Sequence, residues 1–328
     1  MGMAAKNFAA ASSGVDELLF HNDTVSLCLL VNRRHHTLRV IDFRAGPTLA
    51  KRNFVIAAAK REGVEKVYTL VERDEVSTWT RLGFAREGSI HAFYKRNDAW
   101  IMGAVVSQVG PVRVDHLEHR ASGGHAHGGH RAETPDADEE EGDADGADEA
   151  GSPAASLAER TLARARRQLK NAGSALPAVK MAPVRDADLK RAVAAAQRSG
   201  RALTGFEVFG RDVERTAYLL TTRGGFELHA SWESQACFGN SFLEILTGPR
   251  TEPDRLATTA AVRAICDRLA GEGLVSTFCL SPADDAPLAT VFLGAGFRRS
   301  GVLARHLQIK GERKDAIVWS RKLAGADA

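Results

Sequence analysis

The chain has 328 residues, 44% hydrophobic and 26% charged, with a net charge of +3. That length excludes a single small core and makes two domains the natural expectation. No apolar run is long enough to span a bilayer, and the amino-terminal stretch lacks the sustained apolar core of a secretory signal, so a soluble cytoplasmic protein is expected.

Cys28, Cys237, Cys266 and Cys279 are scattered without CxxC spacing and read as small buried apolar residues of a reducing compartment. The charge is uneven. Residues 115–149 carry twelve acids against two arginines, which leaves +13 on the remainder. A basic body can attract phosphate-bearing ligands, nucleic acid or acidic partners. Equally, the acidic tract can simply offset that surface and aid solubility.

In chain order, Arg44-Ala-Gly-Pro-Thr48 precedes a helix over 49–61, which ends at Glu62-Gly63. A buried strand over 66–71 follows, then a short helix ending at Gly83-Phe84, a strand near Gly88 and a last strand from Asp98. Residues 116–153 contain no aromatic and a single large aliphatic, so they are expected to be a disordered linker. His125, His127 and His130 lie there among glycines; without fixed geometry they read as adventitious metal binders, and no resident metal is expected. A basic helix over 155–170 has leucines at 157, 162 and 169 only loosely on one face, as a surface or linker helix would.

Beyond it, 184–196 is an amphipathic helix, and strands over 217–222 and 226–232 flank the Arg223-Gly-Gly225 hairpin turn. A strand over 240–246, the turn TGPRTEPDRL (247–256) and a helix over 257–269 come next. Then the earlier order returns: Glu272-Gly273, a strand over 276–281, Gly296-Phe297, a strand near Gly301 and a last strand from Asp315. The two stretches, 57–103 and 264–323, form a weak internal repeat.

This order, with FYKRNDAWIMG (93–103), VRDADLKRAVAAA (184–196), FLGAGFRRSGVL (292–303) and GERKDAIVWSRKL (311–323), resembles the GNAT superfamily of acyl-CoA-dependent N-acetyltransferases. Within it, the likeness is to beta-lysine N-acetyltransferases, over about residues 35–105 and 183–323. The resemblance implies an α/β (α+β) fold of two GNAT-like mixed-sheet domains or half-domains joined by a disordered linker. These would be 1–110 without its own site, 111–180 as acidic linker plus basic helix, and 181–328 as the catalytic domain. It implies acetyl-CoA as cofactor and a small-molecule amine or amino acid as acceptor. No membrane or nucleic-acid partner is expected, and a homodimer stays open.

In such an enzyme Glu244, on the strand before the turn, would take the ammonium proton, with Glu233 and His229 as substitutes. The pyrophosphate would meet backbone N–H groups at the helix start. Leu246, Gly248, Arg250, Arg255, Leu256, Ala257 and Thr258 are the residues this assigns to the cofactor. If Leu256 follows the motif, its two glycine positions hold Pro253, which has no N–H, and Arg255. Thr251 and Asp254 also match a capping box. Two readings stay open: a phosphate cradle, or a helix that caps itself. The family's tyrosine acid is replaced by Phe292, and Asp284 and Asp285 stand where an asparagine often meets CoA. A non-catalytic GNAT-fold binding or regulatory protein is the rival reading, and a His-rich metal-handling protein the third.

Overall fold

The computed structural model describes residues 14–21, 26–42, 48–94, 97–110, 153–170, 175–211, 213–234 and 239–323. The acidic and histidine-rich tract lies outside these residues, as does Cys237. The architecture is mixed α/β. The first half contributes β1 (Val15–His21), β2 (Ser26–Asn32), β3 (Thr37–Asp42), α1 (Leu49–Arg61), β4 (Lys66–Val71), α2 (Val76–Arg81), β5 (Ala85–Ile90) and β6 (Ala99–Val105). The second contributes α3 (Pro153–Lys170), β7 (Val179–Pro183), α4 (Asp186–Arg198), β8 (Glu214–Thr222), β9 (Glu227–Ser234) and β10 (Asn240–Ile245). It continues with α5 (Glu252–Gly271), β11 (Ser276–Pro282), α6 (Ala286–Gly294), β12 (Arg298–Ile309) and β13 (Glu312–Lys322).

The thirteen strands among the described residues join one sheet in the order β1-β2-β3-β4-β6-β5-β12-β13-β11-β10-β9-β8-β7. Read from its own edge inwards, the second half after β7 repeats the first strand for strand. In each half the one parallel pair is joined through the long helix, β3–α1–β4 and β10–α5–β11, as a crossover requires. The repeat seen in the sequence is thus a repeat of topology, and it extends through β1–β3, whose correspondence to β8–β10 the sequence pattern did not reveal.

The repeated glycines have physical causes. Gly63, Gly273, Gly83 and Gly296 all have positive φ. After each, the next residue donates back to a carbonyl one turn inside the helix: Val64 to Ala59 at 2.8 Å, Leu274 to Leu269 at 3.1 Å, Phe84 to Trp79 at 3.1 Å and Phe297 to Phe292 at 2.9 Å. Phe84 and Phe297 then pack their rings on Trp79 and Phe292. Gly88 and Gly301 serve another purpose. They pair across β5 and β12, the seam between halves. A Cβ on Gly301 would stand 2.3 Å from the Gly88 Cα and 2.3 Å from the Glu87 carbonyl oxygen, so only glycine permits the approach.

Each half has its own core against its helices. A third cluster belongs to both halves, joining Tyr68, Ile90 and Phe93 to Phe242, Phe278 and Leu303. The basic helix α3 differs from expectation. Ala158, Leu162 and Ala165 are buried in the second core, where the small alanines allow close approach. Gln168 accepts from Thr290 of α6 at 2.8 Å, and Glu159 pairs with Arg299 at 2.7 Å. Leu169, by contrast, is exposed. No helix among the described residues is long and apolar enough to cross a membrane.

Candidate active site

β10 stays paired with β9 from Ser241 to Ile245, but with β11 only from Asn240 to Phe242. β11 meanwhile runs on to Pro282 beside β13. The parallel pair therefore opens after Phe242. The β10 end is drawn the other way: Leu203 donates to the Leu246 carbonyl at 2.9 Å, and Leu246 to the His229 carbonyl at 2.9 Å. Alternation along an antiparallel pair then turns the main-chain groups of Leu243 and Ile245 towards the gap, past the last rung with β11.

A small pocket, open at its mouth, lies beside this gap. Both halves line it. β10 supplies Phe242 and Glu244, and the 203–209 segment supplies Thr204, Glu207 and Phe209. Arg39, Tyr68 and His35 come from the first half.

Glu244 points to the same face as Phe242 by strand alternation. Thr204 Oγ1 donates to its Oε1 at 2.5 Å, and Arg215 Nη1 lies 3.5 Å from its Oε2. That Oε2 is screened from solvent and has no hydrogen-bond partner. Burial pushes the carboxyl up to about 8, with Arg215 opposing and Glu207 and Glu233 reinforcing. The result is a carboxyl that holds its proton near neutrality and releases it just above.

The substitutes are engaged elsewhere. Glu233 accepts from the Phe209 amide at 3.0 Å, from Gly210 at 3.1 Å and from Arg215. His229 is half-buried on β9 and does not line the pocket; burial lowers its pKa. Phe292 is buried against Phe297 and Trp319 and offers no proton. Asp284 pairs with Lys314 at 2.5 Å, and Asp285 caps α6 by accepting from Leu288 at 2.9 Å.

The residues assigned to the cofactor do not line this pocket. Leu246 is buried with Ala196, Ala202 and Phe206. The Gly248 carbonyl accepts from Arg201 at 3.3 Å. Arg255 is buried and forks onto Glu252. Leu256, Ala257 and Thr258 lie within α5, and the Thr258 hydroxyl donates to the Asp254 carbonyl at 2.7 Å. Arg250 is exposed.

Four amides of the turn, those of Arg250, Thr251, Asp254 and Arg255, are bonded internally. Asp254 Oδ2 accepts from Arg250 at 3.3 Å and Thr251 at 3.2 Å, and Thr251 Oγ1 accepts from Asp254 at 3.2 Å. The Arg255 amide is bonded to the Thr251 carbonyl at 3.0 Å. Pro253 has no N–H. A pyrophosphate does not fit these internally bonded amides.

Sequence reasoning missed Thr204, Glu207, Arg215, Arg39, His35 and His306. Burial lowers His35 to about 4 and drives His306 well down, so both imidazoles are neutral. One signal was legible: Glu207 stands in an apolar, glycine-flanked segment, Leu203-Thr-Gly-Phe-Glu-Val-Phe-Gly210, where a lone acid calls for a partner. Among the described residues no group of three or more His, Cys, Asp or Glu side chains gathers as a metal site.

No protein-family model matches the chain, and no curated protein matches it. Among solved structures it is similar to the ribosomal-protein-S18-alanine N-acetyltransferase from Escherichia coli, at 18% identity and TM-score 0.35, over 46% of this chain and 99% of that one. It is also similar to spermidine N-acetyltransferase from Vibrio cholerae in complex with CoA and spermine, at 10% identity and TM-score 0.37, over 44% of this chain and 95% of that one.

Proposed function

We propose that the chain is an N-acyltransferase that moves an acyl group, acetyl in the simplest case, from an acyl-CoA-type thioester to a small-molecule amine. The carrying observation is Glu244: a largely buried carboxyl, raised to about 8, with one oxygen free of hydrogen bonds, beside the opening of β10 from β11. A thioester donor would supply the acyl carbon, and its sulfur would regain a proton from solvent, since Phe292 is buried and cannot donate.

In this proposal Glu244, once ionised as pH rises through about 8, accepts the proton that an ammonium must lose before its nitrogen can attack. Thr204 holds Oε1, leaving Oε2 for the substrate. Arg215, 3.5 Å away, stabilises the ionised form without neutralising it permanently. The main-chain groups of Leu243 and Ile245 orient the donor arm. The second reading, a non-catalytic binding module, is favoured by the self-capped turn at Thr251.

Calorimetric titration with acetyl-CoA and thiol release in the presence of small amines separate the two. The expected result is binding and release by the wild type, with Glu244→Gln binding but releasing at least about a hundredfold more slowly. Binding without release by the wild type supports the second reading, and no binding at millimolar donor sinks the transfer reading.

A further inference from the structure

Arg39 is a charge in want of a counter-ion. It projects from β3 of the first half into the pocket that holds Glu244 of the second. It is 8% exposed. Its Nη1 donates to the Phe209 carbonyl, and the guanidinium lies 4.3 Å from the centroid of the Phe209 ring. Its Nε is screened from solvent and has no partner. Among the described residues no carboxylate forms an ion pair with it.

A buried guanidinium is costly unless an opposite charge meets it. The Nε–Nη2 edge is the one that forks onto a carboxylate with two parallel hydrogen bonds. Nε of that edge has no partner among the described residues. Tyr68 and Phe209 flank it, and the neighbouring imidazoles of His35 and His306 are neutral and bring no negative charge. Glu233 is the carboxylate whose charge reaches Arg39, but its oxygens are taken by Arg215 and the Phe209 and Gly210 amides, while Glu207 and Glu244 are held at Thr204 Oγ1.

We propose that Arg39 is an anion subsite of the inter-half pocket, and that the natural ligand carries a carboxylate which pairs with its guanidinium while the rest of the molecule extends towards Glu244. The first half then supplies part of the site rather than only a packing surface. A ligand serving both ends is an amine that also bears a carboxylate. The proposal rests on the pocket assigned above but not on acyl transfer occurring there.

The test uses the full chain and hexanoate, a carboxylate without an amine, with hexylamine and inorganic phosphate as separate arms. Hexanoate is expected to raise the melting temperature of the wild type in a concentration-dependent way. In Arg39→Met, which keeps the length and packing of the side chain, the hexanoate concentration for the same shift should rise about tenfold or more, the loss of a charge-assisted hydrogen bond. Arg39→Lys should fall between. Equal protection of wild type and Arg39→Met overturns the proposal, as does protection by phosphate or hexylamine but not by hexanoate. If Arg39→Met does not fold, crystals of the wild type soaked in hexanoate decide: the carboxylate lies on Nε and Nη2, or the subsite is wrong. Protection by hexanoate without any thiol release keeps the subsite and sinks acyl transfer. Equal turnover of hexylamine and 6-aminohexanoate does the reverse.

Discussion

The two halves share a strand order but not a chemistry. Aligned on the first rung of each parallel pair, Thr37 with Lys66 and Asn240 with Ser276, Arg39 falls at the place of Phe242 and Ile41 at the place of Glu244. The carboxyl therefore occurs once, in the second half. The first half, freed from holding a base, places a guanidinium on the same inter-half pocket. Duplicating a sheet repeats its geometry, while the side chains on equivalent rungs are free to differ.

The largest expected difference lies at the seam. Lys66 and Ser276 occupy equivalent rungs, and the bulges at Glu87 and Ser300 are equivalent too. In the first half these positions form a buried ion pair, with Lys66 fully screened from water. Burial lowers Lys66 and raises Glu87, each towards its neutral form. Lys66→Met, which strands Glu87, is expected to cost about 3–5 kcal/mol in urea unfolding, and adding Glu87→Leu should recover most of it. Ser276→Ala should cost far less, about 1 kcal/mol, because a hydroxyl donating to the His91 carbonyl at 2.9 Å carries no charge. Equal losses would break the contrast between halves.

Next in size is a dependence on pH. Glu244 is raised from 4.5 to about 8 in the folded chain, so over that window the folded state keeps a proton that the unfolded state has released. Its contribution is complete below the lower value and fades as pH rises. Wild-type stability should fall relative to Glu244→Gln by about 1.4 kcal/mol per pH unit through the window. Parallel profiles from pH 5 to 8 would mean that the carboxyl is not held protonated. Ile41→Val, at the equivalent place in the first half, should show no such slope.

What was legible in the sequence follows from range. The helix start at Thr48, the Gly-Phe stops and the hairpin at Gly225 depend on neighbours within a few residues and stand where the pattern put them, whereas α5 begins at Glu252, five residues before the expected 257. Glu244 is named by what the family resemblance implies, and the local alternation beside Phe242 and Leu246 gives only the face it points to. Its partners are named by neither. Thr204 is forty residues from Glu244 in the chain, and Arg39 meets Phe209 across 170 residues. The pairing of β5 with β12 brings Arg39 to Phe209, and the bond from Leu203 to Leu246 lays Thr204 beside β10; no period within any strand announces either. The small seam of α3 was missed because alanines carry little hydrophobic signal, yet they allow the closest packing.

The smallest expected effect tests what the two halves do with the turn after their parallel strand. Both close it with threonine. Thr48 accepts from Lys51 at 3.2 Å, and Thr251 accepts from Asp254 at 3.2 Å. Only in the second half does an acid reach back to complete the box. Thr48→Ala and Thr251→Ala should each cost about 1 kcal/mol, the usual worth of an N-cap. The ligand consequence differs. With the amides of Arg250 and Thr251 occupied by Asp254, the nucleotide portion of a donor gains nothing from them, so acetyl-CoA and acetyl-pantetheine should bind the wild type with similar affinity. Asp254→Ala frees both amides and removes a negative charge from the helix start, where an anion is otherwise favoured. It should tighten acetyl-CoA by about fivefold while leaving acetyl-pantetheine unchanged. A strong wild-type preference for acetyl-CoA, lost in Asp254→Ala, would mean that the box opens to admit the pyrophosphate, and the turn would then be a cradle after all.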